Sequence, residues 1–358
     1  MDKDGDRPRL RDLGVKIGVM PTGQLNSICD VPGLKAGHAT LIEGDGPLVR
    51  GEGPIRTGVT AVIPADDISI HRKMPAAVDV INGFGKSVGT VQIMELGEIE
   101  TPILLTNTLN VGKVSQHLVE WMIERYSDIS SVNPVVMECN DSNLNDIWGI
   151  HVGREHVFEA LKTAGKNSTE GCIGAGTGMR SFGFKSGIGS ASRMVKCGEE
   201  TYILGAMVLN NMGGPADLRI DGIPIGRMLA ENRVGAKEPP GSIIMIIGTN
   251  APLTAWSLKR VARRASFGLA RTGGMASHGS GDIALAFSTV PAAEAQVKDT
   301  EIATGRISNF FRACIESVEE AIINSLLRAH TVVGRDGNTA HAIPIDAVAD
   351  LLTKHGNC

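Results

Sequence analysis

Five large aliphatic residues in a row, Ile243-Ile244-Met245-Ile246-Ile247, constrain this chain more than any other stretch. An unbroken apolar run of that kind reads as a strand buried on both faces, so its sheet must be covered above and below. The run is entered from Glu238-Pro239-Pro240-Gly241-Ser242. Two prolines remove backbone donors and fix φ, which keeps the loop out of the sheet. Gly241, without a Cβ, leaves its carbonyl accessible. Ser242 therefore stands at the mouth of a buried strand, directly behind that carbonyl.

Such a junction suits one chemistry. The Ser242 hydroxyl can attack the Gly241 carbonyl carbon and move the acyl group from nitrogen to oxygen. Water then opens the ester and leaves Ser242 with a free α-amine. An α-amine titrates at about 7.7–8.0, so near neutral pH it can accept a proton and activate the hydroxyl of its own residue. The competing reading is a loop that merely ends where a strand begins.

The rest of the chain supplies the layers. Strands are expected at 57–63, 76–81, 103–105, 134–137, 179–184, 202–209 and 283–287. Helical spacing marks 88–96, 114–126, 156–162, the stretch from Asn250-Ala251-Pro252 to about Arg271, 309–330 as the longest, and 345–354. Strands and helices alternate throughout, so the class is α/β, or mixed α+β in layers. Hydrophobic residues are 42% and charged residues 21% of the 358, enough for a sizeable core. Glycines number 44 while aromatics are 4%, which implies many tight turns around an aliphatic interior.

Several function classes are disfavoured. The net charge is −4 with no basic stripe, so nucleic acid is not an expected partner. The 6 cysteines include no C-x-x-C pair and fit reduced cytosolic thiols. Residues 1–11 are strongly charged and lack the apolar segment of a signal peptide. No apolar run is long enough for a membrane span. A cytoplasmic location away from membranes is the expectation. The histidines are scattered, H-E-x-x-H is absent and no paired Cys/His spacing occurs, so no metal or other cofactor is expected. Gly174-Ala175-Gly176-Thr177-Gly178 lacks the spacing of a dinucleotide loop.

Three groups could carry catalysis. Ser242, Ser280 and Asp282 all follow glycine-rich loops at strand entrances, and they converge if the strands at 242 and 283 are sheet neighbours. Ser280-Gly281-Asp282 could equally be an ordinary turn. Asn210 and Asn211, placed after a buried strand, could supply an oxyanion donor or form a strand-end turn. The polar run 138–146 follows another apolar strand and is either a site or a helix-capping turn. A rival nucleophile is Ser87 in Gly85-Lys86-Ser87-Val88-Gly89, which matches G-x-S-x-G, although Gly83-Phe84-Gly85 separates it from the strand end.

Over nearly its whole length the chain resembles the L-aminopeptidase/D-esterase (DmpA-like) family, which includes the β-peptidyl aminopeptidases. The resemblance is carried by Arg11-Asp12-Leu13-Gly14, Asp30-Val31-Pro32-Gly33 with Gly37-His38, Gly58-Val59-Thr60-Ala61-Val62 and Leu105-Thr106-Asn107-Thr108. It continues through 138–146, 174–179, Gly187-Ile188-Gly189 with Ala191-Ser192-Arg193, and Arg219-Ile220-Asp221-Gly222. Gly241-Ser242, Ser280-Gly281-Asp282 and Gly334-Arg335-Asp336-Gly337 complete it. It implies one αββα sandwich over 1–358, similar in layers to N-terminal-nucleophile hydrolases and differently connected. It also implies self-processing into an α chain of 1–241 and a β chain of 242–358, with assembly into oligomers such as a tetramer of αβ units.

On this resemblance Ser242 is the nucleophile, Ser280 and Asp282 support it, and the oxyanion donor falls on Asn211. Glu138 would hold the free ammonium of the substrate, with Asn140 beside it. Phe84 and Lys86 stand where some members have a small residue and an acid. Cys139-Asn140 replaces a different pair, and Asp282 stands where the β-peptidyl branch tends to carry Glu. The leading expectation is a self-processed serine aminopeptidase or amidase that acts on small peptides, amides or esters of L-, D- or β-amino acids without a cofactor. The alternatives are an N-acyltransferase of the ornithine acetyltransferase type, which cuts itself before a threonine, and a non-catalytic relic that binds amines.

Overall fold

The computed structural model describes residues 7–166, 169–229 and 241–355, so Glu238, Pro239 and Pro240 of the junction lie outside the described residues. In chain order the strands are β1 (Lys35–Glu43), β2 (Ile55–Ile63), β3 (Met74–Gly83), β4 (Glu98–Ile99), β5 (Ile103–Asn107), β6 (Val135–Cys139), β7 (Arg180–Ser181), β8 (Phe184–Lys185), β9 (Ile188–Cys197), β10 (Glu200–Asn211), β11 (Ser242–Thr249), β12 (Gly281–Ser288), β13 (Val332–Val333) and β14 (Thr339–Ala340). The α-helices are α1 (Thr90–Leu96), α2 (Val111–Arg125), α3 (Arg154–Lys162), α4 (Ile225–Leu229), α5 (Ala255–Ala262), α6 (Ala265–Arg271), α7 (Ala292–Gly305), α8 (Ile307–Leu327) and α9 (Ile345–His355).

Two sheets form the centre. One has the order β1-β2-β5-β6 and the other β4-β3-β12-β11-β10-β9. Residue parity shows how they stack. On β11, Ile244 and Ile246 join Val62, Ile103, Leu105, Val135 and Met137 of the smaller sheet in a core between the sheets. Their alternates Ile243, Met245 and Ile247 pack with Phe310, Val318 and Ile322 of α8. The outer face of the smaller sheet, with Val59, Ala61, Leu104 and Val136, meets Val114 and Leu118 of α2 and Val157 and Leu161 of α3. Helices therefore cover both outer faces, and the layers run αββα. Every residue of β11 is buried, as its unbroken apolar run requires. Each such aliphatic side chain contributes about 1.5–3 kcal/mol relative to exposure.

The structure corrects several expectations. Residues 179–184 do not make one strand. They fold into the two-stranded hairpin β7–β8, turned at Phe182 and Gly183, both with positive φ (51° and 77°). That is a primed two-residue turn, whose twist suits a hairpin. The helix expected to run to Arg271 is broken into α5 and α6, because the Arg264 N–H bonds back only three residues to the Val261 carbonyl and ends the turn. Asn210 and Asn211 belong to β10 rather than to a turn after it, and Glu138 and Cys139 belong to β6. The long strands β1 and β9 were not anticipated. On β9 the buried residues include Ser190, Ser192 and Arg193, so no apolar alternation announces it. Gly189 lets α8 lie directly on that strand: a Cβ there would stand 1.9 Å from the Ala321 carbonyl oxygen.

Candidate active site

The site forms where β10, β11 and β12 end side by side. Antiparallel pairing sets Asn211 opposite Ser242, and parallel pairing sets Ile243 opposite Asp282. The strands at 242 and 283 are thus neighbours, and the three expected catalytic groups do converge. Ser242 is 7% exposed, and its Oγ accepts a hydrogen bond from the Gly281 N–H at 3.0 Å. Asp282 accepts from the Ile243 N–H at 3.2 Å through Oδ1. The Ser280 hydroxyl lies within a short hydrogen bond of Asp282 Oδ2 and 2.7 Å from the Ser277 carbonyl. Burial pushes the Asp282 carboxyl above its ordinary range, against the pull of the Ser280 hydroxyl and the Ile243 N–H.

The loop that carries Ser280 is held by Asn82 at the end of β3. The Asn82 amide donates to the carbonyls of Ser277 at 3.0 Å, His278 at 3.1 Å and Ser280 at 2.5 Å. Gly241 is in close contact with β10, where a Cβ would come within 2.4 Å of the Asn211 carbonyl oxygen. Only glycine fits between Ser242 and that carbonyl. The Asn211 side chain is fixed at both ends: Oδ1 accepts from the Arg180 N–H and Nδ2 donates to the Asn140 carbonyl, each at 2.9 Å. The second Nδ2 hydrogen is left for another acceptor.

A cleft of about 820 Å³ opens over these groups, lined by Ser242, Gly241, Asn211, Glu138, Asn140, Arg180, Phe84 and Lys86 among others. Glu138 is 2% exposed, and its carboxylate is aimed by the Lys86 N–H at 2.9 Å and by a short hydrogen bond from the Thr108 hydroxyl. Asn140 is exposed at the cleft wall, but its own side chain closes a turn by accepting the Ser142 N–H at 3.0 Å. Its carbonyl is the part that touches the site. Asp141 next to it is buried, accepts from Thr57 at 2.6 Å and Asn145 at 3.0 Å, and is lifted by burial to about 7.

Ser87 does not form a nucleophile elbow. It lies in the loop between β3 and α1, where the following Val88 bridges to Val136 of β6. Its hydroxyl is buried and has no partner among the described residues. Sequence reasoning missed Asn82 as a brace, Thr108 as the partner of Glu138, and Arg180. Single polar residues in glycine-rich loops leave no periodic signal; proximity in the fold alone reveals them. Among the described residues no cluster of His, Cys, Asp and Glu could hold a metal ion. No described helix is long and apolar enough to cross a membrane, and the five described cysteines are free.

Comparison with solved structures assigns the class. The l-aminopeptidase d-ala-esterase/amidase from Ochrobactrum anthropi, described as a prototype for the serine aminopeptidases and a variant of the Ntn hydrolase fold, matches with a TM-score of 0.86 and 35% identity over 98% of this chain and 99% of that one. A β-aminopeptidase from Burkholderia sp. matches with a TM-score of 0.87 at 39% identity, covering 98% of this chain and 100% of that one. The pattern of Peptidase family S58 matches residues 26–340, and the chain belongs to that family. It is 39% identical to the β-peptidyl aminopeptidase BapA of Sphingosinicella xenopeptidilytica over 96% of its own length and 91% of that enzyme's. The protein is accordingly an aminopeptidase of the Ntn hydrolase fold class.

Proposed function

We propose that the chain opens its own Gly241–Ser242 bond and then uses Ser242 as an N-terminal nucleophile. The reading is carried by one observation: Ser242 begins a central buried strand at the floor of the cleft, with Asn211 across one ladder and Asp282 beside the other. In the first reaction Ser242 Oγ adds to the Gly241 carbonyl carbon and the C–N bond breaks. The resulting ester is hydrolysed, leaving a Gly241 carboxylate and a Ser242 α-amine. The products are an α chain of 1–241 and a β chain of 242–358.

In turnover the α-amine takes the Ser242 hydroxyl proton as Oγ attacks the substrate carbonyl. The free Nδ2 hydrogen of Asn211 meets the oxyanion. The leaving amine receives the proton, and water, deprotonated by the same α-amine, opens the acyl-enzyme. Glu138 holds the ammonium of the substrate's first residue, since a carboxylate in a sheltered cleft favours a charged amine. The Asp282 carboxylate, steadied by the Ser280 hydroxyl, places negative charge beside the strand entrance and favours the protonated amine that forms during the reaction. Phe84 and Lys86 shape the acyl pocket, so the choice among L-, D- and β-residues rests on them. The αβ units assemble as an oligomer, such as a tetramer, in the cytoplasm.

Denaturing electrophoresis with intact mass tests the reading. The wild type is expected as two fragments that meet at 241/242, and Ser242→Ala as one whole chain. A wild type that stays whole and inactive would overturn it. An added amine acceptor that captures most of the acyl group would point to acyl transfer instead.

A further inference from the structure

Three cationic side chains line the cleft, and they differ in what they touch. Lys86 Nζ donates to the Phe84 carbonyl at 3.2 Å and lies over the Phe84 ring. Arg335 donates to the Ser142 carbonyl at 2.6 Å and pairs with Asp336 at 2.7 Å. The Arg180 guanidinium has no hydrogen-bond or ion-pair partner among the described residues, and its Nε is sealed from solvent. Burial alone pulls its pKa below the ordinary value. An uncompensated guanidinium in a partly dry site is unfavourable, so its retention calls for an incoming acceptor.

Its placement is not casual. Arg180 opens the β7–β8 hairpin, whose turn holds Phe182 at a positive φ that non-glycine residues resist. The Phe182 N–H is pinned to the carbonyls of Met212 and Gly213, each at 3.1 Å. The Asn211 amide is then clamped between two segments. One is the strand end that carries Asn140 and, two residues earlier, Glu138; the other is Arg180. With the substrate ammonium on Glu138 and the scissile carbonyl between Ser242 and Asn211, the remaining arm of the substrate reaches the Arg180 side.

We propose that Arg180 is a specificity-determining residue that binds the carboxylate of the leaving residue, so that short peptides with a free C-terminal carboxylate, dipeptides foremost, are the preferred substrates. A guanidinium meets a carboxylate through two parallel hydrogen bonds, a match that an amide or ester leaving group cannot offer. The assignment rests on the Ser242 reading above.

The test compares kcat/KM for one dipeptide and its C-terminal amide in wild type, Arg180→Met and Arg180→Lys. Wild type is expected to prefer the free acid by about 10- to 100-fold, the range of a charge-assisted hydrogen bond. Arg180→Met brings the ratio close to unity, mainly through KM for the acid, and Arg180→Lys keeps part of it. Equal rates on both substrates in wild type, or an unchanged ratio in Arg180→Met, overturn the assignment while leaving the Ser242 mechanism in place. A whole, inactive wild type removes both. If Arg180→Met does not fold, product inhibition of wild type decides. The released amino acid must inhibit more strongly than its amide, and equal inhibition overturns the proposal.

Discussion

Two regions of this molecule bury charge, and they do so in opposite ways. Between β9 and α8, Arg193 is fully buried and donates to Glu316 at 3.0 Å, to Glu320 at 2.7 Å and to the carbonyls of Ser192 and Ile17, each at 2.8 Å. Glu320 also accepts from Arg11 at 2.8 Å and Asn26 at 2.5 Å, and Glu316 takes the N–H groups of Val19 and Met20, each at 3.1 Å. Nothing in that cluster is left over. At the cleft, by contrast, the Arg180 guanidinium has no partner among the described residues and Asn211 keeps a spare donor. A closed network ties segments of chain together, whereas one with open valences is shaped for something that arrives from outside.

The comparison can be broken by substitution. The largest effect is expected at the cleft: Ser242→Ala should lower kcat at least about 10⁴-fold, as loss of a nucleophile does elsewhere, while the whole chain keeps its fold by circular dichroism. Next, Arg193→Ala should cost about 3–5 kcal/mol of stability by leaving Glu316 and Glu320 buried without their partner. Urea unfolding measures it, and a cost below 1 kcal/mol would mean that the closed network holds little. Third, Asn211→Ala should reduce kcat about 10²- to 10³-fold with a modest change in KM. A loss confined to KM would place Asn211 in ground-state binding.

The smallest effect sharpens the contrast through pH. Asp141 titrates near 7 in the fold and near 3.8 in the unfolded chain. Between those values the folded protein holds a proton that the unfolded chain has lost, so this contribution to stability declines as pH rises toward 7. Glu320 behaves in the opposite sense. Burial works to raise its pKa, but Arg11, Arg193 and Asn26 together hold it below the ordinary 4.5. Its stabilisation is present above 4.5 and is lost as pH falls through the folded value. Urea midpoints across pH 3–8 should therefore lose the neutral-side decline in Asp141→Asn and the acid-side fall in Glu320→Gln.

What the sequence disclosed follows from the kind of signal each part carries. The apolar run after Ser242 announced β11, and the serine, Ser280 and Asp282 could be placed because each lies at a strand boundary. Position after a buried strand marked Asn210-Asn211 and the run 138–146 as candidates, and resemblance to a family singled out Asn211 and Glu138 among them. The strand β9 escaped because Ser190, Ser192 and Arg193 interrupt its buried apolar residues and meet partners on α8 and in the segment before β1. Arg180 escaped for a related reason: its meaning lies in having no partner among the described residues, which depends on the folded surroundings.

The strand order β4-β3-β12-β11-β10-β9 has a further consequence. Strands β11 and β12 come from the segment after Ser242, while their neighbours β3 and β10 come from the segment before it. If the bond at Gly241 opens as proposed, one sheet becomes shared by two polypeptides that interleave within it. Neither can leave without tearing ladders on both sides. After denaturation the pieces must find each other by collision, so refolding becomes second order and depends on concentration. The uncut chain assembles the same sheet as a single molecule. The proposed scission would thus make the first folding event one that the cut protein cannot repeat by the same route.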